Sequence, residues 1–246
     1  MTALHARVPF GFNPQVQPRD RLIVALDVST AAAAREVVAK IGDSVRIYKI
    51  GMQLFTAEGP AIVRELVSAD KRVFLDLKYH DIPNTVSGAV KEAAKLGVSM
   101  LTVHAAGGEK MLQAAVDSAR TNPDLIVLAV TVLTSLGDSD LNQIGMQGKT
   151  EESVLRLAEM ALRSGCHGVV ASAREAAPLR SKLGRDFVIV TPGVRLSESA
   201  AGDQVRVATP AAAIAAGSDY VVVGRPITEA SDPAAQAKTV IEQISL

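Results

Sequence analysis

The sequence predicts a single (β/α)₈ barrel, and three observations predict it. A short β-branched run, a polar or Gly-containing turn and an Ala-rich segment of helical character recur eight times along the chain. Such alternation of strand and helix calls for a parallel sheet. The strand runs are nearly continuous in apolar residues, as in Leu-Ile-Val-Ala-Leu, Ile-Val-Leu-Ala-Val and Tyr-Val-Val-Val, a pattern suited to strands covered on both faces. The chain of 246 residues has the usual size of one such barrel. An open doubly wound sheet is the alternative, and eight units within about 225 residues favour closure over it.

The first unit pairs a strand at Leu22–Asp27 with a helix at Thr30–Ile41, and the second a strand at Val45–Ile50 with a helix at Pro60–Ala69. The third and fourth are Val73–Lys78 with Asn84–Leu96, and Met100–His104 with Glu109–Arg120. The fifth strand, Ile126–Val132, leads through a polar stretch at Leu136–Thr150 to a helix at Glu151–Ser164. Long loops at a barrel mouth often cover substrate. Gly168–Ala171 with Ala173–Lys182, Phe187–Thr191 with Pro210–Ala216, and Tyr220–Gly224 with Pro233–Ile244 complete the set. No composition shift, Ser/Gly linker or low-complexity tract divides the chain, so residues 1–246 read as one catalytic domain. Residues 1–20 read as an N-terminal arm or a helix closing the barrel bottom.

Twenty-six basic residues balance twenty-six acidic ones. A net charge of zero offers no electrostatic case for nucleic acid or a membrane surface, so any bound anion must be held by local groups. Cys166 stands alone and cannot form an internal disulfide or a cysteine-based zinc site. Its apolar neighbours make it a buried structural thiol. The N-terminal stretch has no apolar run of signal-peptide length, and no run elsewhere approaches a membrane span. A cytoplasmic location is expected.

Active sites of such barrels lie at the C-terminal ends of the strands. Polar residues at those ends are Asp27, Lys49, Asp76, Lys78, Asp81, His104, Thr134, Arg195, Gly224 and Arg225. Asp76 and Lys78 are two apart and share one strand face, with Leu75 and Leu77 toward the helices. Charges pointing into a barrel are costly unless paired. Lys49, Asp76, Lys78 and Asp81 alternate in sign and could satisfy each other. The bland alternative is an ion network that merely holds strand three. A second cluster suits phosphate: Thr191-Pro192-Gly193 follows strand seven, Gly224-Arg225-Pro226 follows strand eight, and Arg195 and Arg225 add guanidinium forks. Glycines let backbone approach an anion, and barrels commonly bind phosphate in the loops after strands seven and eight. Ordinary turn glycines are the alternative there. His104 reads as a hydrogen-bonding residue behind the site and His80 as one that orients its turn. His5 and His167 look incidental.

The run Asp76-Leu77-Lys78-Tyr79-His80-Asp81-Ile82-Pro83-Asn84-Thr85 resembles the signature of the orotidine 5′-monophosphate decarboxylase family, bacterial type. Ala25-Leu26-Asp27, Tyr48-Lys49-Ile50-Gly51, Thr131-Val132-Leu133-Thr134-Ser135, Thr191-Pro192-Gly193-Val194-Arg195, Asp203-Gln204 and Val223-Gly224-Arg225-Pro226-Ile227 extend the resemblance over nearly the whole chain. Sugar-phosphate decarboxylases of the same superfamily share the Asp-x-Lys-x-x-Asp core; the flanking motifs make the match specific.

The resemblance implies a phosphate-binding barrel of the ribulose-phosphate type that converts orotidine 5′-monophosphate to uridine 5′-monophosphate and CO₂. It implies no metal and no organic cofactor. It further implies a homodimer in which Asp81 enters the partner's site. Lys78 would stabilise the carbanion and deliver the proton, Asp76 would face the departing carboxylate, and Lys49 and Asp81 would hold Lys78 charged. Asp27 and Lys49 would bind ribose hydroxyls. Gln204, Arg195 and Arg225 would hold phosphate with Pro192 and Gly224, and Thr134 would read the pyrimidine edge. Ile82 and Thr85 join the substrate-binding set. Two rivals remain: a magnesium-dependent sugar-phosphate decarboxylase or aldolase, and a non-catalytic phosphate-binding barrel.

Overall fold

Eight parallel strands pair in sequence order and close on themselves. They are β1 (Leu22–Ala25), β2 (Ile47–Gly51), β3 (Arg72–Tyr79), β4 (Met100–His104), β5 (Ile126–Val130), β6 (Gly168–Val170), β7 (Val188–Thr191) and β8 (Tyr220–Val223). The closing pair sets Ile23 against Val222 and Val24 against Val223. This computed structural model describes residues 17–196 and 208–245. The arm up to residue 16, with His5, and the Asp203-Gln204 motif lie outside the described residues.

The helices are α1 (Ala31–Ile41), α2 (Met52–Glu58), α3 (Pro60–Ser68), α4 (Pro83–Lys95), α5 (Gly108–Ala119), α6 (Asp138–Gln143), α7 (Thr150–Arg163), α8 (Ala173–Leu183), α9 (Pro210–Ala215), α10 (Arg225–Thr228) and α11 (Pro233–Ile244). No described helix is long and apolar enough to cross a membrane. The eight helices expected from sequence all form. Three short ones were not legible. Among them α6 lies within the polar stretch after β5, where Leu141 is buried and anchors it. The Asp138 carboxylate accepts the N–H of Thr150 at 2.8 Å and bonds its hydroxyl, which draws the carboxyl below its ordinary pKa. That stretch is therefore a braced helical loop.

Two apolar layers follow from the strand alternation. Leu22, Val24, Tyr48, Ile50, Leu75, Leu101, Val103 and Val221 face outward and meet the helices. The helices answer with stripes at helical spacing, such as Val86, Val90, Ala93 and Ala94 on α4. Ile23, Ile47, Phe74, Met100, Ile126, Val188 and Tyr220 fill the barrel interior. Burying each such large aliphatic side chain contributes about 1.5–3 kcal/mol. Gly168 is what lets β6 pass this crowd. A Cβ there would run into the Val188 carbonyl oxygen and lie 2.7 Å from its Cβ.

The wall that carries the last two strands is tied from outside by Arg180 on α8. Its guanidinium donates to Asp219 Oδ2 at 2.6 Å, to the Phe187 carbonyl at 2.8 Å and to the Gly217 carbonyl at 3.0 Å. Asp219 Oδ2 also accepts the Ile189 N–H at 2.7 Å. Cys166 is buried, and burial pushes its thiol up to about 12.

His167 is not incidental, contrary to the expectation from sequence. Its N–H donates to Val127 O, its carbonyl accepts the Val188 N–H, and its ring Nδ1 accepts the Val127 N–H at 3.0 Å. It thereby clamps β5 to β7 across the head of β6. Nδ1 can accept only in the neutral imidazole, and burial pulls the pKa below 6.5.

Two outcomes are expected. Gly168→Ala forces the β6–β7 wall apart and should destabilise by roughly 1–3 kcal/mol, the range for overpacking a core; a melting temperature equal to wild type would refute the fit. For His167, the folded chain resists a proton that the unfolded chain takes up below about pH 6.5. Its stabilisation is therefore full above that pH and is lost as pH falls through the lower folded value. Melting curves at pH 7.5 and 5.5 should show an acid loss that shrinks in His167→Asn, whose amide oxygen keeps an acceptor without titrating. An undiminished loss would remove His167 from the account.

Candidate active site

The mouth of the barrel holds a cavity of about 550 Å³. Its floor is apolar, from Phe74, Val130, Val170, Val190 and Val222. One stretch of its wall, from β1 to β3, carries Asp27, Lys49, Asp76 and Lys78; the stretch from β7 and β8, which adjoins it at the β1–β8 pair, carries Pro192, Gly193, Arg195, Gly224 and Arg225. Leu133 and Thr134, from the start of the loop after β5, line a third side. A mostly apolar cleft with a few convergent polar groups is the usual form of a small-molecule site.

The charged wall is an alternating ladder. Lys49 Nζ bonds Asp27 Oδ1 at 2.9 Å and lies 3.7 Å from Asp76 Oδ2. Lys78 Nζ bonds Asp76 Oδ1 at 2.9 Å. Asp76 thus stands between two ammonium groups, and its side chain is only 14% exposed. Two positive and two negative groups cancel, which is how these charges are tolerated at the edge of an apolar barrel. Gly51 makes room for the ladder: a Cβ there would lie 3.0 Å from Lys49 Nζ and 3.2 Å from Asp27 Oδ1.

Lys78 is held in an unusual backbone conformation. Its φ is +50°, in the left-handed region that non-glycine residues rarely occupy. The irregularity is visible in the ladder between β3 and β4, where Leu75 pairs with Leu101 but Tyr79 pairs with Val103. Four residues of β3 advance while two of β4 do. This bulge lifts Lys78 out of simple alternation and returns its ammonium to the Asp76 carboxylate. The Lys78 N–H does not lose its partner: it donates to Thr102 Oγ1 at 2.9 Å.

Thr102 was missed in the sequence reading. It is fully buried, and its hydroxyl donates to Asp76 Oδ1 at 3.0 Å. The signal available was a lone hydroxyl at an inward position of an otherwise apolar strand, Met-Leu-Thr-Val-His.

Asp81, Ile82 and Thr85 do not join this cavity within the chain, so the alternating set of four proposed from sequence closes with Asp27 in place of Asp81. All three are exposed, Asp81 and Ile82 on the turn into α4 and Thr85 in its first turn. Asp81 Oδ1 accepts the Ile82 N–H at 2.6 Å, and Ile82 is 67% exposed. Gln204 lies outside the described residues. His104 ends β4, but it is not among the cavity's lining residues; its Nδ1 accepts the Ala106 N–H at 3.3 Å. Its ring stacks on His80 at 5.2 Å, and burial, then His80 and Lys78, lower its pKa. Among the described residues, no three His, Cys, Asp or Glu side chains gather so as to hold a metal ion.

Comparison with known proteins bears on this arrangement. The model of the orotidine 5′-phosphate decarboxylase / HUMPS family matches residues 20–240. The chain is 50% identical over 226 residues to the orotidine 5′-phosphate decarboxylase of Idiomarina loihiensis, covering 91% of this chain and 97% of that one. It is 47% identical over 239 residues to that of Moorella thermoacetica, covering 94% and 95%. The crystal structure of orotidine 5′-phosphate decarboxylase from Lactobacillus acidophilus superposes with a TM-score of 0.83 at 40% identity, over 92% of this chain and all of that one. Barrel, charged ladder and relatedness along almost the full length agree: this chain belongs to the orotidine 5′-phosphate decarboxylase / HUMPS family.

Proposed function

We propose that this chain decarboxylates orotidine 5′-monophosphate to uridine 5′-monophosphate and CO₂, the last step of pyrimidine nucleotide synthesis. The observation that carries the reading is the Lys49–Asp76–Lys78 ladder beside a Gly- and Arg-bearing wall of the same cavity.

In this reading the phosphate is held by Arg225, Arg195 and Gln204 with the backbone at Pro192 and Gly224. Asp27 and Lys49 take the ribose hydroxyls, and Thr134 meets the pyrimidine edge. The substrate carboxylate then lies by Asp76, adding a negative charge to a ladder that was neutral. The bond from C6 to the carboxylate breaks, and its electron pair stays on C6 in the plane of the ring. No carbonyl delocalises that pair well, so its stabilisation must be electrostatic. The Lys78 ammonium supplies it, then transfers a proton to C6, and regains one from water. The neutral CO₂ leaves Asp76 unopposed and fits the apolar floor. Lys49 keeps Asp76 aligned. No step calls on a metal or an organic cofactor.

The exposed Asp81, Ile82 and Thr85 find a role if two copies associate and this turn enters the partner's site, with Asp81 beside the partner's ladder. The reading takes residues 1–246 as one catalytic domain acting in the cytoplasm, where a lone buried thiol is at home.

Purified protein treated with EDTA should lower the ultraviolet absorbance of orotidine 5′-monophosphate, and Lys78→Ala should not. Inert wild type that recovers with magnesium would overturn the metal-free reading; an active Lys78→Ala would overturn the role of Lys78. Arg225→Ala removes a charge-assisted contact of about 1.5–3 kcal/mol, so KM should rise roughly 10- to 100-fold, with a smaller fall in kcat. An unchanged KM would take Arg225 off the phosphate.

A further inference from the structure

We propose that Thr102 is a positioning residue for the decarboxylation, acting by fixing the backbone and the carboxylate between which the Lys78 ammonium is held. The inference rests on the decarboxylase reading and adds a residue to it.

Three observations converge on one hydroxyl. Thr102 Oγ1 accepts the Lys78 N–H at 2.9 Å, at the very residue whose φ is +50°. The same oxygen donates its proton to Asp76 Oδ1 at 3.0 Å. That carboxylate oxygen also receives Lys78 Nζ at 2.9 Å. A closed circuit results, running from the Lys78 backbone through Thr102 and Asp76 to the Lys78 ammonium. Thr102 is fully buried, two residues on from Met100, which belongs to the apolar barrel interior.

The circuit answers a physical difficulty. A lysine in the left-handed region persists only where its surroundings over-determine it. The bulge that creates this conformation also takes the Lys78 N–H out of regular pairing with β4, and an unmet buried N–H is destabilising. Thr102 is the group that meets it. A hydroxyl can accept from the amide and donate to the carboxylate at once, whereas valine, of the same shape, can do neither. The donated proton also selects which oxygen of Asp76 faces Lys78, leaving Oδ2 toward Lys49 at 3.7 Å. Loss of the hydroxyl therefore frees both the backbone and the carboxylate that place the proton donor. It leaves the phosphate and ribose contacts alone, because Thr102 does not line the cavity.

The test compares wild type, Thr102→Val, Thr102→Ser and Thr102→Ala by steady-state kinetics with orotidine 5′-monophosphate. Melting temperature and calorimetric affinity for uridine 5′-monophosphate are measured alongside. Misplacing a reacting group by an ångström is enough to lower kcat roughly 10- to 100-fold, the fall expected for Thr102→Val. KM and product affinity should stay within about twofold, since binding shared by ground and transition states is untouched. Thr102→Ser, which keeps the hydroxyl, should restore most of the rate. Thr102→Ala makes the same comparison with serine should the valine variant not fold. Valine or alanine at the wild-type rate, serine as slow as they are, or product affinity falling in step with kcat would each overturn the proposal. Inert wild type would instead overturn the decarboxylase reading, and this inference with it.

Discussion

The pairing of Asp76 with two lysines is the constraint to which the rest of the site answers. Neither lysine could sit at the rim of an apolar barrel alone, because an unpaired charge there would face hydrocarbon from β5 to β8. Asp76 receives Lys78 on one oxygen and lies close to Lys49 on the other. Asp27 closes the outer end of the ladder. The geometry of β3 follows from this demand. A regular strand would carry Lys78 onward along the ladder; the bulge and its left-handed residue bring the ammonium back to the carboxylate two residues earlier. Local strain is retained where it places the group proposed to react.

The adjoining wall works by different means. Gly193, Gly224, Arg195 and Arg225 line this part of the cavity. At the far end of these strands from the cavity, the Arg180–Asp219 pair ties α8 to the starts of β7 and β8. Thr191 and Ser218 share a further bond of 2.6 Å in the same wall. The two halves of the cavity thus divide the labour. In the proposed reaction, the β1–β3 side would supply fixed charge to a carbanion, and the β7–β8 side would hold a phosphate remote from it. Binding energy gathered at the remote group can be used to hold a charged substrate against Asp76. In the proposed reaction the neutral sum of the ladder would leave the added substrate carboxylate as the uncompensated charge.

Alternation of apolar strands with Ala-rich helices was sufficient to read the barrel, its order and eight of its helices from sequence, because these patterns are local and periodic. Asp76 and Lys78 were legible as a pair from their spacing, although their meeting is set by the bulge and not by regular alternation. That Gly193, Arg195, Gly224 and Arg225 share one cavity was legible from their fixed offsets after strands seven and eight. What was not legible shares a cause. α6 and α10 are too short to show a period. His167 acts through strands forty and twenty-one residues away on the β5 and β7 walls. Thr102 acts on β3 from twenty-four residues away.

The sequence by itself determined the fold class, the strand ends that carry polar groups and the resemblance to a family. Residue type and spacing are enough for those, being properties of neighbours along the chain. Only the tertiary structure decided that Asp27, not Asp81, completes the ladder within one chain, that Lys78 sits in a left-handed bulge, and that Thr102 holds it there. Those facts depend on which side chains meet across the barrel and on how far one strand slips against the next. A slip of two residues between β3 and β4 leaves no mark in either strand's own sequence.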